Sequence, residues 1–125
     1  MQDRWLLLAG ILGFVSVAGG AFGAHALEAH RSVDLMATFD TGTHYAQVHV
    51  VALLCAAILG GQRGGRAWSV ACGGFALGIL IFAGSLWTLV LTEQRWLGAV
   101  TPLGGLSLLV GWVSVGVGAT RPPAR

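Results

Sequence analysis

The chain has 125 residues, 55% of them hydrophobic and only 10% charged, against roughly 25% charged in soluble domains. That balance excludes a water-soluble globule. The sequence pI near 8.9 does not point to nucleic acid either, because the few basic residues are accounted for by membrane topology.

The charges cluster and leave uncharged stretches from Trp5 to Leu27, Thr41 to Gln62, Ala67 to Thr92 and Trp96 to Thr120, each long enough for the ~20 residues that cross a bilayer. The chain therefore reads as an all-α integral membrane four-helix bundle of antiparallel up-down topology. It forms one domain, with spans at approximately 5–25, 41–61, 68–91 and 96–119.

In chain order, the first span follows Arg4. Ala24-His25-Ala26 imitates a signal-peptidase site, but the apolar run is longer than a signal core, so the segment is read as a helix that is kept. Residues 27–40 form the only long connection, an outer-surface loop or a short helix over Ser32–Phe39. Ser32 or Asp34 would cap it, and Leu35, Met36 and Phe39 would share its apolar face. The links around Gln62–Arg66 and Glu93–Arg95 are tight, which makes consecutive spans antiparallel neighbours. Pro122-Pro123 closes a short tail.

Arg4, Arg63, Arg66, Arg121 and Arg125 then share one side with both termini, while Arg31 and Arg95 lie opposite. This asymmetry puts both termini of the multi-pass protein in the cytoplasm. Trp5, Trp68 and Trp96 stand at helix entrances, where indole rings favour the headgroup layer. Small residues repeat at four-residue spacing in Ser16/Gly20/Ala24, Ala52/Ala56/Gly60, Gly74/Gly78 and Ser114/Gly118. Such repeats let helices approach closely, within one chain or between copies of it. Cys55 and Cys72 read as small apolar side chains.

All four histidines, His25, His30, His44 and His49, fall in one region. By the helical rise, His49 lies about 10 Å below the outer surface of a ~30 Å core, with Ser85 and Thr101 about 7 to 8 Å below it. An ionisable group at that depth is a functional candidate, the competing reading being a structural brace. Tyr45 and Thr41 precede His49 at four-residue steps and share its stripe. His25 and Glu28 would sit one turn apart, which suggests a surface pair more than a metal site, since zinc needs three or four convergent ligands. A haem between His25 and His49 is opposed by their difference in depth.

Four segments also carry a resemblance: Gly20-Ala-Phe-Gly-Ala-His25, Thr41-Gly42 with Tyr45 and His49, Phe82-Ala-Gly84-Ser85-Leu86-Trp87, and Val100-Thr-Pro-Leu-Gly-Gly105 with Gly111-Trp112. In this order they resemble the YgdD-like small inner-membrane proteins, a domain-of-unknown-function family of bacteria with a eukaryotic transmembrane branch. The resemblance implies four spans and a membrane location but no activity, cofactor or catalytic residue. The chain departs from the family pattern after Tyr45, where members often carry glutamine and this sequence has Ala46, then Gln47.

On this topology the four segments meet in the outer leaflet, where His49, Tyr45, Ser85 and Thr101 are expected to line a glycine-walled polar pocket with His25 near its mouth. The leading functional expectation is a non-enzymatic module. It would bind an amphipathic quinone-like or lipid ligand there, or dock on a membrane complex. A small oligomeric transporter or channel, with His49 relaying protons, is the alternative. An intramembrane enzyme is the third reading, and Ser85 with His49 is the one nucleophile–base pair it could use. No catalytic residue, metal ligand or cofactor is assigned, and the partners expected are the bilayer, an amphipathic small molecule, a membrane complex or a second copy of the chain. A phosphatase reporter fused to the C-terminus is expected to be inactive, and a single cysteine at Asp34 to react with an impermeant thiol reagent on intact cells. An active fusion would overturn the cytoplasmic placement of the ends.

Overall fold

The computed structural model describes residues 2–123. Helix α1 covers Gln2–Phe22 and continues through a π-type turn over Gly23–Leu27. Helix α2 covers Val33–Arg63, α3 Arg66–Thr92, and α4 Thr101–Thr120 after a 3-10 turn over Arg95–Ala99. All four helices are long and apolar enough to cross a membrane. α1 packs on α2, α2 on α3 and α3 on α4, so α3 is the central helix and the α1–α4 seam stays open.

The connection after α1 is shorter than expected, because the short helix foreseen over residues 32–39 is the beginning of α2 itself. The Ser32 side chain accepts from the Leu35 amide at 3.3 Å, and the helix then runs 31 residues without a break. At 1.5 Å per residue that is about 46 Å, well beyond a ~30 Å hydrocarbon core. Asp40 is exposed, so its charge marks where α2 meets the membrane and not where the helix starts. The expected apolar face of Leu35, Met36 and Phe39 packs against Leu27 and Val90.

Two arginines that the charge asymmetry treats only as topology signals also tie helix ends. Arg31 donates to the Val90 carbonyl at 3.1 Å and to the Leu91 carbonyl at 3.3 Å, at the C-terminus of α3. Arg63 donates to the Arg121 carbonyl at 3.1 Å, just past α4. Helix C-termini end in unpaired carbonyls and partial negative charge, so a guanidinium there satisfies both hydrogen bonding and the dipole. The α2–α3 link turns through Gly64 and Gly65, at φ of 67° and 99°, a region where a Cβ is costly.

The small-residue repeats bring helices of the one chain together. A Cβ on Gly74 would stand 2.8 Å from the Gly111 nitrogen and 2.9 Å from the Ser107 carbonyl oxygen, and Ser107 donates to the Gly74 carbonyl at 2.8 Å. Trp68 departs from its expected headgroup position: it is only 4% exposed. Gly118 and Gly60 open a slot in which a Cβ would lie 2.8 Å from its ring and 2.9 Å from its Cβ, respectively. Trp96, by contrast, is exposed. Of the cysteines, Cys72 is buried and Cys55 exposed, and neither forms a disulfide.

Gly74→Ala is expected to force α3 and α4 apart and to cost about 1–3 kcal/mol, as overpacking does. Gly116→Ala, with nothing within 4 Å of its new methyl group, is expected to be neutral or slightly stabilising. Thermal unfolding in detergent compares the two, and equal melting points would refute the close contact.

Candidate functional site

His49 is 7% exposed and lies on the face of α2 that turns toward α3 and α4. Its Nδ1 is 2.7 Å from the Tyr45 carbonyl oxygen, and the Trp112 indole donates to its Nε2 at 3.1 Å. An indole N–H can only donate, so Nε2 must carry a lone pair and Nδ1 the proton, which it gives to Tyr45. Both partners together therefore specify one neutral tautomer. Four rings surround the imidazole or continue its stack: Phe75 with its centroid at 5.9 Å, Trp112 at 6.0 Å, Tyr45 at 5.8 Å, and Phe82 stacked on Tyr45 at 4.4 Å.

The expected partners Ser85 and Thr101 pair with each other. Ser85 Oγ is 2.6 Å from Thr101 Oγ1 and donates to the Phe82 carbonyl at 3.0 Å. Thr101 Oγ1 also lies 3.3 Å from the Leu97 carbonyl oxygen. These hydroxyls form a separate tie between α3 and the start of α4, where Pro102 occupies the first turn. The expected glycine-walled space beside them is filled. A Cβ on Gly104 would stand 2.8 Å from the Phe82 Cα, so the glycine admits the neighbouring backbone in place of a ligand. Ser85 and His49 thus do not form a nucleophile–base pair.

Tyr45 is 41% exposed and contributes its carbonyl and ring face to His49. Thr41, on the same stripe, is exposed and donates back to the Ala37 carbonyl at 2.9 Å. His25 sits in the π-type turn with its side chain exposed. Among the described residues no group of three His, Cys, Asp or Glu side chains could hold a metal ion. Ala46, where the resemblance leads one to look for glutamine, is buried against α1 and α3, and Gln47 is exposed.

Residues missing from the expected site matter as much. Trp112 is the side-chain partner of His49, and nothing in local spacing links positions 63 residues apart; the only sequence signal is its place beside Gly111 in the resemblance. A Cβ on Gly111 would lie 2.6 Å from the Phe75 ring, so this glycine lets Phe75 support both Trp112 and His49. A third tie joins α2 and α3, where Trp87 donates to Thr43 Oγ1 at 3.0 Å and stacks on Phe39 at 5.4 Å. Thr43 in turn donates to the Phe39 carbonyl. Trp87 lies directly against Gly19, and Phe39 directly against Gly23.

The resembling segments therefore correspond to three interhelical ties in one half of the bundle. A family model described as a protein of unknown function, DUF423, matches residues 19–105. The chain belongs to this DUF423 family. The UPF0382 inner membrane protein YgdD of Escherichia coli K12 is 42% identical over 123 residues, covering 97% of this chain and 93% of that protein. The UPF0382 membrane protein of Haemophilus influenzae is 34% identical over 121 residues, 97% of each chain. YwdK of Bacillus subtilis is 34% identical over 119 residues, covering 94% of this chain and 96% of the relative. No solved structure matches. The DUF423 chain is thus a multi-pass membrane protein of an uncharacterised family.

Trp112→Phe keeps the ring but leaves buried Nε2 without a donor, and is expected to cost about 1–3 kcal/mol. His49→Leu is expected to cost a similar amount, and the double variant less than the sum, because each single change strands the other's polar group. Additive losses in a double-mutant cycle would show that the bond contributes nothing.

Proposed function

We propose that the protein is a non-enzymatic binding or accessory module of the bacterial inner membrane, with both termini cytoplasmic, and that its ligand or partner engages the aromatic face around His49. The observation that carries this reading is the cover of His49. Its Nε2 accepts from the indole of Trp112, which is itself 47% exposed. A hydrogen-bonding group that displaced this half-exposed indole would take its place on the imidazole.

The tautomer limits what that group can be. With Nδ1–H held by Tyr45, Nε2 accepts only, so a ligand replacing Trp112 must present a hydroxyl or an N–H. The released Trp112 N–H would then need an acceptor. A quinol-like ring or a hydroxyl-bearing lipid supplies both functions, and the exposed ring of Tyr45 offers a stacking surface. The arginine asymmetry supports the cytoplasmic ends, and the inner-membrane name of the E. coli relative supports the location.

Native mass spectrometry of gently extracted protein tests this reading. An adduct of quinol or hydroxyl-lipid mass, or a stable membrane-protein partner, is expected in the wild type and is expected to be lost in His49→Leu with the helical circular dichroism preserved. A bare monomer, or an adduct indifferent to His49→Leu, would refute it.

A further inference from the structure

At the opposite end of the bundle, α1, α2 and α3 enclose a cavity of about 350 Å³, within the range of ordinary small-molecule sites. Its rim is the Gly64–Gly65 link with Arg66, and its walls reach down to Ala56 and Cys72, a descent of roughly 12 Å along α2. Ala56, Ala57 and Cys72 make its far wall apolar, and Gln2, Trp5, Arg66 and Ser69 bring its polar groups. Trp5 Nε1 is buried with no hydrogen-bond partner among the described residues, and the Arg66 side chain is exposed and lines the same cavity. A buried N–H without an acceptor costs free energy, and in a cavity that a guanidinium also lines the acceptor that serves both is anionic. An anion alone would leave the apolar depth unfilled.

We propose that this cavity binds one anionic phospholipid drawn from the surrounding leaflet. Its phosphate accepts from Trp5 Nε1 and pairs with Arg66, and an acyl chain enters between Ala56 and Cys72. Gly65, where a Cβ would meet nothing within 4 Å, leaves the mouth open to a chain of methylenes, while Gly61 seats the Gln2 side chain beside it. The site lies away from His49 and does not depend on the function proposed for it.

The test is native mass spectrometry of the purified full chain titrated with phosphatidylglycerol or with phosphatidylcholine of the same acyl chains. Wild type is expected to retain phosphatidylglycerol preferentially. Trp5→Phe and Arg66→Gln are each expected to lower that retention roughly tenfold, the equivalent of one charge-assisted hydrogen bond. Ser69→Leu, which fills the cavity, is expected to remove it for either lipid. Melting by circular dichroism identifies any variant that fails to fold, and His49→Leu is expected to retain the lipid fully. Equal retention of the two lipids, or undiminished retention in well-folded Trp5→Phe and Arg66→Gln, would overturn the proposal. So would displacement by millimolar inorganic phosphate, which would mean a headgroup site alone, or loss in well-folded His49→Leu, which would move the lipid to the other half.

Discussion

Aromatic rings seated against glycine backbones set the distances between these helices. Within a bilayer, lipid tails are as apolar as leucine, so helices gain little by hiding apolar surface from lipid and must gain by close packing instead. Here Trp87 lies on Gly19 and approaches Gly42, Phe39 lies on Gly23, Phe75 on Gly111, and Trp68 between Gly60 and Gly118. Each pairing replaces a side-chain-to-side-chain contact with a ring-to-backbone contact, which brings the helices closer and increases the number of atoms at van der Waals distance. The chain's twenty glycines thus include several that serve as receptacles for rings on neighbouring helices.

The polar ties depend on that closeness. Trp112 reaches His49 where Gly111 lets the Phe75 ring pack beside both, and Ser85 reaches Thr101 because Gly104 brings α4 against the backbone of Phe82. Inside hydrocarbon an unpaired donor or acceptor costs several kcal/mol, so such ties also select one register among the many that a smooth apolar seam would allow. Outside the hydrocarbon, Arg31 and Arg63 act on helix C-termini. α3 is thereby held to the link before α2 at one end and α4 to α2 at the other, although α2 and α4 share little direct contact.

Features carried by hydropathy and charge were legible in the sequence: four spans and their antiparallel order. That His49 turns into the bundle followed from its depth, because an ionisable group within hydrocarbon needs a protein partner. Its partners did not, because depth fixes a height in the membrane and leaves the rotation of each helix open. Ser85 and Thr101 share roughly the level of His49 but pair with each other. Trp68 illustrates the same limit, since its position at a helix entrance suggests a headgroup anchor, and only the glycines of two other helices reveal its slot. The start of α2 was obscured by Asp40, whose charge marks the membrane boundary on a helix that crosses it without a break.

The neutral tautomer of His49 has a consequence for how the protein meets the cell's energised membrane. The imidazole lends its proton to Tyr45 and its lone pair to Trp112, and the central stretches of all four helices carry no Asp, Glu, Lys or Arg. A formal charge moved across the bilayer would exchange about 2.3 kcal/mol with each 100 mV of potential. Within those stretches the potential therefore finds no carboxylate, ammonium or guanidinium to act upon, and any charge it moved there would have to be brought by a ligand or a proton.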